Sequence, residues 1–113
     1  MTVGDIHWVE LPAADGHQQG GQRPGVIVQD EAYGRSLPLV LVVPLTTARA
    51  ALRFAGTALI APTTENGLRQ PSVALVFQLR GIDRRRIRER IGRVSTDTLD
   101  QIFAELEKLT GRR

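Results

Sequence analysis

Leu37-Pro38-Leu39-Val40-Leu41-Val42-Val43-Pro44-Leu45 is an uncharged run of nine residues, seven of them Leu or Val, with proline only near its ends. It is too short for a membrane-spanning helix, which takes roughly 20 apolar residues. A branched apolar run with no polar face reads instead as a central strand buried on both sides. Upstream, Pro24-Gly25-Val26-Ile27-Val28-Gln29 predicts a second apolar strand. Before it, Asp5-Ile6-His7-Trp8-Val9-Glu10-Leu11 alternates imperfectly and stops at Pro12, a first strand. Residues 12–22 between them hold three glycines and no large apolar side chain, the composition of a long polar loop. Asp30 to Ser36 makes a polar connection with room for one helical turn.

Downstream of the central run, Thr46 to Arg53 is a connection of mixed character and Gly56 to Pro62 a strand. Thr63 to Gln70 contains Asn66-Gly67, a hairpin signal because both residues tolerate positive φ. Pro71 to Leu79 reads as one further strand, punctuated by Gly81-Ile82-Asp83. Ser95-Thr96-Asp97-Thr98 opens a helix with an N-cap and an acid in its first turn, and Leu99, Ile102, Phe103, Leu106 and Leu109 follow at helical spacing before Gly111. The pattern predicts a mainly β (α+β) fold of about five to seven short antiparallel strands. They form a small, strongly bent sheet or barrel carrying a C-terminal amphipathic helix. One domain is expected over residues 1–113, a length that suits a single core.

Composition narrows the chemistry. There is no cysteine, so disulfides, thiolate zinc sites and a cysteine nucleophile are all excluded. His7 and His17, far apart and without a metal-ligand spacing, predict no metal site, and no cofactor motif is present. The absence of a targeting segment or spanning run gives the expectation of a soluble, cytoplasmic protein with no membrane partner. Fourteen of the fifteen cations are Arg, and seven of these fall between Arg80 and Arg93. Arg keeps its proton at any working pH and offers a planar fork of donors that matches phosphate, which favours a nucleic-acid partner; a solvated, salt-bridged face is the plainer alternative.

Five segments, in order along nearly the whole chain, resemble the MazF/PemK toxin family: Gly4-Asp5-Ile6-His7-Trp8-Val9, Gly20-Gly21-Gln22-Arg23-Pro24, Val43-Pro44-Leu45-Thr46-Thr47, Ser72 through Asp83, and Ile91-Gly92-Arg93-Val94-Ser95. The resemblance implies a homodimer of SH3-like barrels that cleaves single-stranded RNA at short motifs and is silenced by a cognate antitoxin with an acidic disordered tail. It further implies Arg23 and Thr46 as the catalytic pair. The family's loop usually reads Gly-Ser-Glu-Gln-Gly-Gly-x-Arg-Pro, whereas this chain has Gly16-His17-Gln18-Gln19-Gly20-Gly21-Gln22-Arg23-Pro24, so His17 and Gln18 replace Ser and a carboxylate.

RNA carries its own nucleophile, the 2′-hydroxyl. Cleavage without metal therefore needs in-line orientation and stabilisation of charge on the phosphate. Arg23 suits charge stabilisation, and Thr46, too weak a base to act alone, suits orientation of the phosphate or ribose. His17, Gln18, Gln19, Gln22, Thr47, Gln78 and Arg80 are the expected RNA contacts. His17 offers a general acid or base in place of the missing carboxylate, against the plainer reading of an exposed loop histidine. His7 is expected to be structural and Trp8 and the three Phe to lie in the core, leaving Tyr33 as the aromatic in a polar connection. A competing reading, prompted by Gln18, is a catalytically weakened dimer that binds RNA or an acidic partner without cutting. A partner-binding scaffold without RNA affinity ranks third.

Overall fold

The computed structural model describes residues 1–12 and 21–112. Seven strands form one antiparallel sheet: β1 (Asp5–Leu11), β2 (Gly21–Ile27), β3 (Leu39–Thr46), β4 (Thr57–Ile60), β5 (Ser72–Leu75), β6 (Arg80–Asp83) and β7 (Ile87–Arg93), followed by helix α1 (Thr96–Leu109). The spatial order is β4-β5-β3-β2-β1-β7, with β6 also paired to β3. The apolar run at 37–45 is thus a hub, since β3 pairs with β2, β5 and β6, but it is buried on both faces only from Val42 onward, Leu39 and Leu41 being exposed. Its two faces feed two apolar clusters. Val43 and Leu45 join Ile6, Val26, Ile60 and Ile102 of α1. Val40 and Val42 join Val9, Leu11, Ile27 and Ile82 on the other face. The sheet curls until its ends approach: the β4–β5 connection meets β7, where Arg93 N–H donates to the Glu65 carbonyl at 2.9 Å.

The helix begins as expected. Ser95 caps it by accepting from Thr98 N–H, Asp97 lies in the first turn, and Ile102 is fully buried on the sheet. Leu109, at the end of the apolar stripe, stays partly exposed but covers Gly56, where an added Cβ would lie 2.5 Å from it.

Three expectations differ from the structure. The run 71–79 is not one strand: β5 ends at Leu75, a 3-10 turn takes Val76–Gln78, and 80–83 is a strand rather than punctuation. Seven residues from Ala74 to Arg80 lie opposite four from Leu45 to Val42, so three residues, the length of the turn, are surplus to the ladder. Second, the Arg-rich stretch, to which the sequence pattern assigns no element, ends in β7 against β1, with two register shifts. Its cations are held by carboxylates across the ladder: Arg88 pairs with Glu10, and Arg90 and Arg93 approach Asp5 at 3.3 and 3.4 Å. Third, Asn66-Gly67 does not make a two-residue hairpin. Only Gly67 has positive φ (68°). Asn66 is buried and its side chain ties the connection together, accepting from Thr63 and Leu68 N–H and donating to the Ala61 carbonyl. Among the described residues no helix is long and apolar enough to cross a membrane.

Candidate active site

Two prolines set the geometry. The β2–β3 ladder runs Ile27↔Val42, Val26↔Val43, Gly25↔Pro44 and ends there. Pro24 and Pro44 have no N–H to donate, so neither strand can extend the ladder normally. β3 then turns to β5, with Thr46 opposite Val73, while β2 stays with β1, with Arg23 opposite Val9. Continued by two residues, the register of Gly25↔Pro44 sets Arg23 against Thr46, where the two strands part.

Opposed residues in an antiparallel pair share a face, and side chains two apart along a strand do too. Arg23 therefore shares the face of Val9. Thr46 shares that of Val42, and Arg80, paired with Val42, lies on it as well. Gly25 binds this surface together: a Cβ there would lie 2.5 Å from Val42 Cγ1 and 3.3 Å from Val9 Cγ2, so only glycine lets β2 lie this close. The candidate pair and Arg80 thus collect on one side of the sheet beside the Val9–Val42 cluster.

Arg23 is half-buried and Thr47 exposed, whereas Thr46 is only 5% exposed. The Thr46 hydroxyl oxygen accepts from Ala48 N–H at 3.2 Å, which fixes its direction and leaves its own proton to donate. Arg80 is half-buried, and that desolvation draws its pKa below the ordinary value. At the rim, Asp83 is held down to about 2, chiefly by the side-chain hydrogen bonds from Arg85. Arg84 and Arg86 are exposed, and among the described residues neither has a carboxylate within ion-pair distance.

The other expected contacts divide. Gln22 is exposed at the start of β2. Gln78, at 9% exposure, is buried within the 76–78 turn, and the exposed member of that turn is Phe77. His17, Gln18 and Gln19 lie outside the described residues. His7 is structural as expected, with Nδ1 bonded to the Arg88 carbonyl at 2.8 Å across the β1–β7 ladder. Among the described residues no cluster of His, Asp or Glu could hold a metal ion.

Trp8, like Phe77, lies outside the core where the sequence pattern places it. It is 38% exposed rather than core. With Pro24, Thr47, Leu68, Arg69 and Gln70 it lines a cleft of about 230 Å³. Both faces of β1 are apolar, Ile6 on one and Val9 and Leu11 on the other, so alternation alone could not show that Trp8 reaches the rim. Its register partner Pro24 held the available signal, because a residue beside the end of a ladder is open on that side.

A small curled antiparallel sheet with one helix, an Arg and a fixed hydroxyl where two strands part, and an Arg-rich rim describes a module for handling phosphate-bearing chains. The chain belongs to the PemK-like, MazF-like toxins of type II toxin–antitoxin systems, whose family profile matches residues 2–110. It is 26% identical over 104 residues to Endoribonuclease EndoA of Bacillus subtilis (strain 168), covering 92% of this chain and 89% of that protein. Its fold is similar to MazF from Deinococcus radiodurans, with a TM-score of 0.82 and 25% identity over 98% of this chain and 96% of that one. It is also similar in fold to a mycobacterial endoribonuclease solved in complex with its cognate antitoxin, with a TM-score of 0.78 and 20% identity over 100% and 97% of the two chains.

Proposed function

We propose that this chain is a toxin endoribonuclease that cuts single-stranded RNA at a short motif by metal-independent transesterification. Family membership and the EndoA relative support the activity. The observation that carries the mechanism is the parting of β2 and β3 beyond Gly25↔Pro44, with Arg23, paired with Val9, and Thr46, paired with Val73, each two residues past that last pair.

In the proposed step the ribose 2′-oxygen bonds to phosphorus as the P–O5′ bond breaks. The 2′-hydroxyl releases its proton to solvent or a loop base, and the 5′-oxygen takes one up. The products are a 2′,3′-cyclic phosphate and a 5′-hydroxyl. Arg23 stabilises the charge on the non-bridging oxygens. The fixed Thr46 hydroxyl orients the phosphate, and Arg80, on the same face, adds positive potential. The partners are single-stranded RNA, a second copy of the chain, and an antitoxin whose acidic tail covers the same basic surface; that an antitoxin is a partner is supported by a mycobacterial endoribonuclease of this fold solved in complex with its cognate antitoxin. The cytoplasm, where RNA is the substrate, is the compartment this function requires.

The test is cleavage of a long unstructured RNA in EDTA by the parent protein, Arg23→Ala and Thr46→Ala, with product ends mapped. Cuts at one repeated motif, lost in both variants, are expected. A folded parent that binds RNA in a salt-sensitive way but does not cut would instead favour the weakened binder, with Gln18 as the reason.

A further inference from the structure

The Trp8 cleft lies on the sheet face opposite the candidate catalytic pair, yet it shares the pair's strands. Pro24 follows Arg23 within β2, and successive residues on a strand point to opposite faces, while Thr47, just past the end of β3, lines the cleft as well. The rim of the sheet therefore has a phosphate-facing side and, one residue along, a side that presents an aromatic ring.

Three properties indicate the occupant. The ring of Trp8 is open, and the exposed groups around it are the Arg69 guanidinium, the Gln70 amide and the Thr47 hydroxyl, so the cleft has an apolar floor with donors at its edge. Its charged lining residue is cationic. Its far wall is rigid: the buried Asn66 holds the 61–68 loop by three hydrogen bonds, and Gly67 packs so closely on Ile91 that an added Cβ would lie 2.5 Å from the Ile91 carbonyl. A flat heteroaromatic with polar edges fits these properties better than a branched aliphatic side chain does.

We infer that the cleft is a subsite for one unpaired base of the RNA, stacked on Trp8 and read at its edge by Arg69, Gln70 and Thr47, and so a determinant of the cleaved motif. This rests on the ribonuclease reading above. Stacking of a base on an aromatic ring is sequence-tolerant, and the edge donors supply the preference.

Trp8 is the single tryptophan of the chain, so its emission reports the cleft directly. The probe is an oligonucleotide of the mapped motif with 2′-deoxyribose at the cut position, followed in parallel by Trp8 fluorescence and by anisotropy of an end label. Expected are quenching on binding, loss of quenching when one base is replaced by an abasic site, and a roughly 5- to 100-fold weaker Kd for Trp8→Ala, restored by Trp8→Phe. Arg69→Ala and Gln70→Ala should change which motif is cut, with the fold intact by circular dichroism. If the parent cuts RNA while Trp8 emission and the Trp8→Ala affinity stay unchanged, the subsite is overturned and the ribonuclease reading stands. If a randomised RNA pool neither binds nor is cut, both fail. Quenching by an acidic peptide carrying an apolar side chain, without quenching by RNA, would overturn the assignment in favour of a protein partner.

Discussion

Gly25→Ala measures how closely β2 must lie against the sheet to hold Arg23 in place. The added carbon would sit 2.5 Å from Val42 Cγ1 and 3.3 Å from Val9 Cγ2, and both valines are fully buried. Carbon atoms prefer separations of roughly 3.5–4.0 Å, so the first contact is short by about 1 Å. A close-packed interior accommodates that only by moving strands, at a typical cost of about 1–3 kcal/mol. Removing both Val42 methyls clears the clash. Gly25→Ala should therefore cost at least ~1 kcal/mol less in a Val42→Ala background than in the parent. Urea unfolding of the four proteins, with unchanged slopes, gives the cycle. RNA cleavage by the folded proteins should follow it, falling in Gly25→Ala and recovering in the double variant, because Arg23 is two residues along the same strand. Equal cost in both backgrounds, or a cost within ~0.5 kcal/mol of zero, would refute the close-approach reasoning.

Arg23→Lys should lower kcat by about 100-fold or more while urea stability stays within ~0.5 kcal/mol, because a point charge does not replace the planar guanidinium fork that the proposed mechanism sets on the phosphate oxygens; single-turnover cleavage beside unfolding checks it. Asp5 ties the chain start to β7. Burial pushes its carboxyl up, but the Thr2 N–H at 2.9 Å and the Arg90 and Arg93 guanidiniums outweigh this and hold it below its ordinary value. A depressed folded pKa means stability that is present above the unfolded value near 3.9 and lost as pH falls through the folded one. The stability gap between the parent and Asp5→Asn, of order 1–3 kcal/mol at neutral pH, should shrink below about pH 4, as urea midpoints across pH would report. Ser95→Ala removes the cap on α1 and should cost about 0.5–2 kcal/mol with cleavage kinetics unchanged.

Much of the architecture was legible because burial is written in the side chains. The 37–45 run can only be central, and the spacing of Leu99, Ile102, Phe103 and Leu106 can only be a helix face. The misreadings have physical causes. Val76 and Leu79 keep the apolar pattern going through a segment that leaves the ladder, so nothing in the alternation marks the three surplus residues. β7 is hidden by its own charges, which suit a strand only because Asp5 and Glu10 lie opposite on β1. At the site, Arg23 and Thr46 were named from the family resemblance. Local pattern cannot join them, because their relation arises from strand register and two prolines. Trp8 went astray because a strand apolar on both faces does not reveal which side reaches the rim.

The 2′-hydroxyl is the nucleophile on which the proposed chemistry depends. The most direct test is an otherwise all-DNA oligonucleotide carrying the mapped motif with a single ribose at the cut position, incubated with the protein in EDTA. Cleavage at that one ribose, leaving a 2′,3′-cyclic phosphate and a 5′-hydroxyl, with the all-deoxy version bound but intact, is the expected result. Cutting of the all-deoxy strand, or cutting of the ribose substrate only when a divalent metal is supplied, would contradict it.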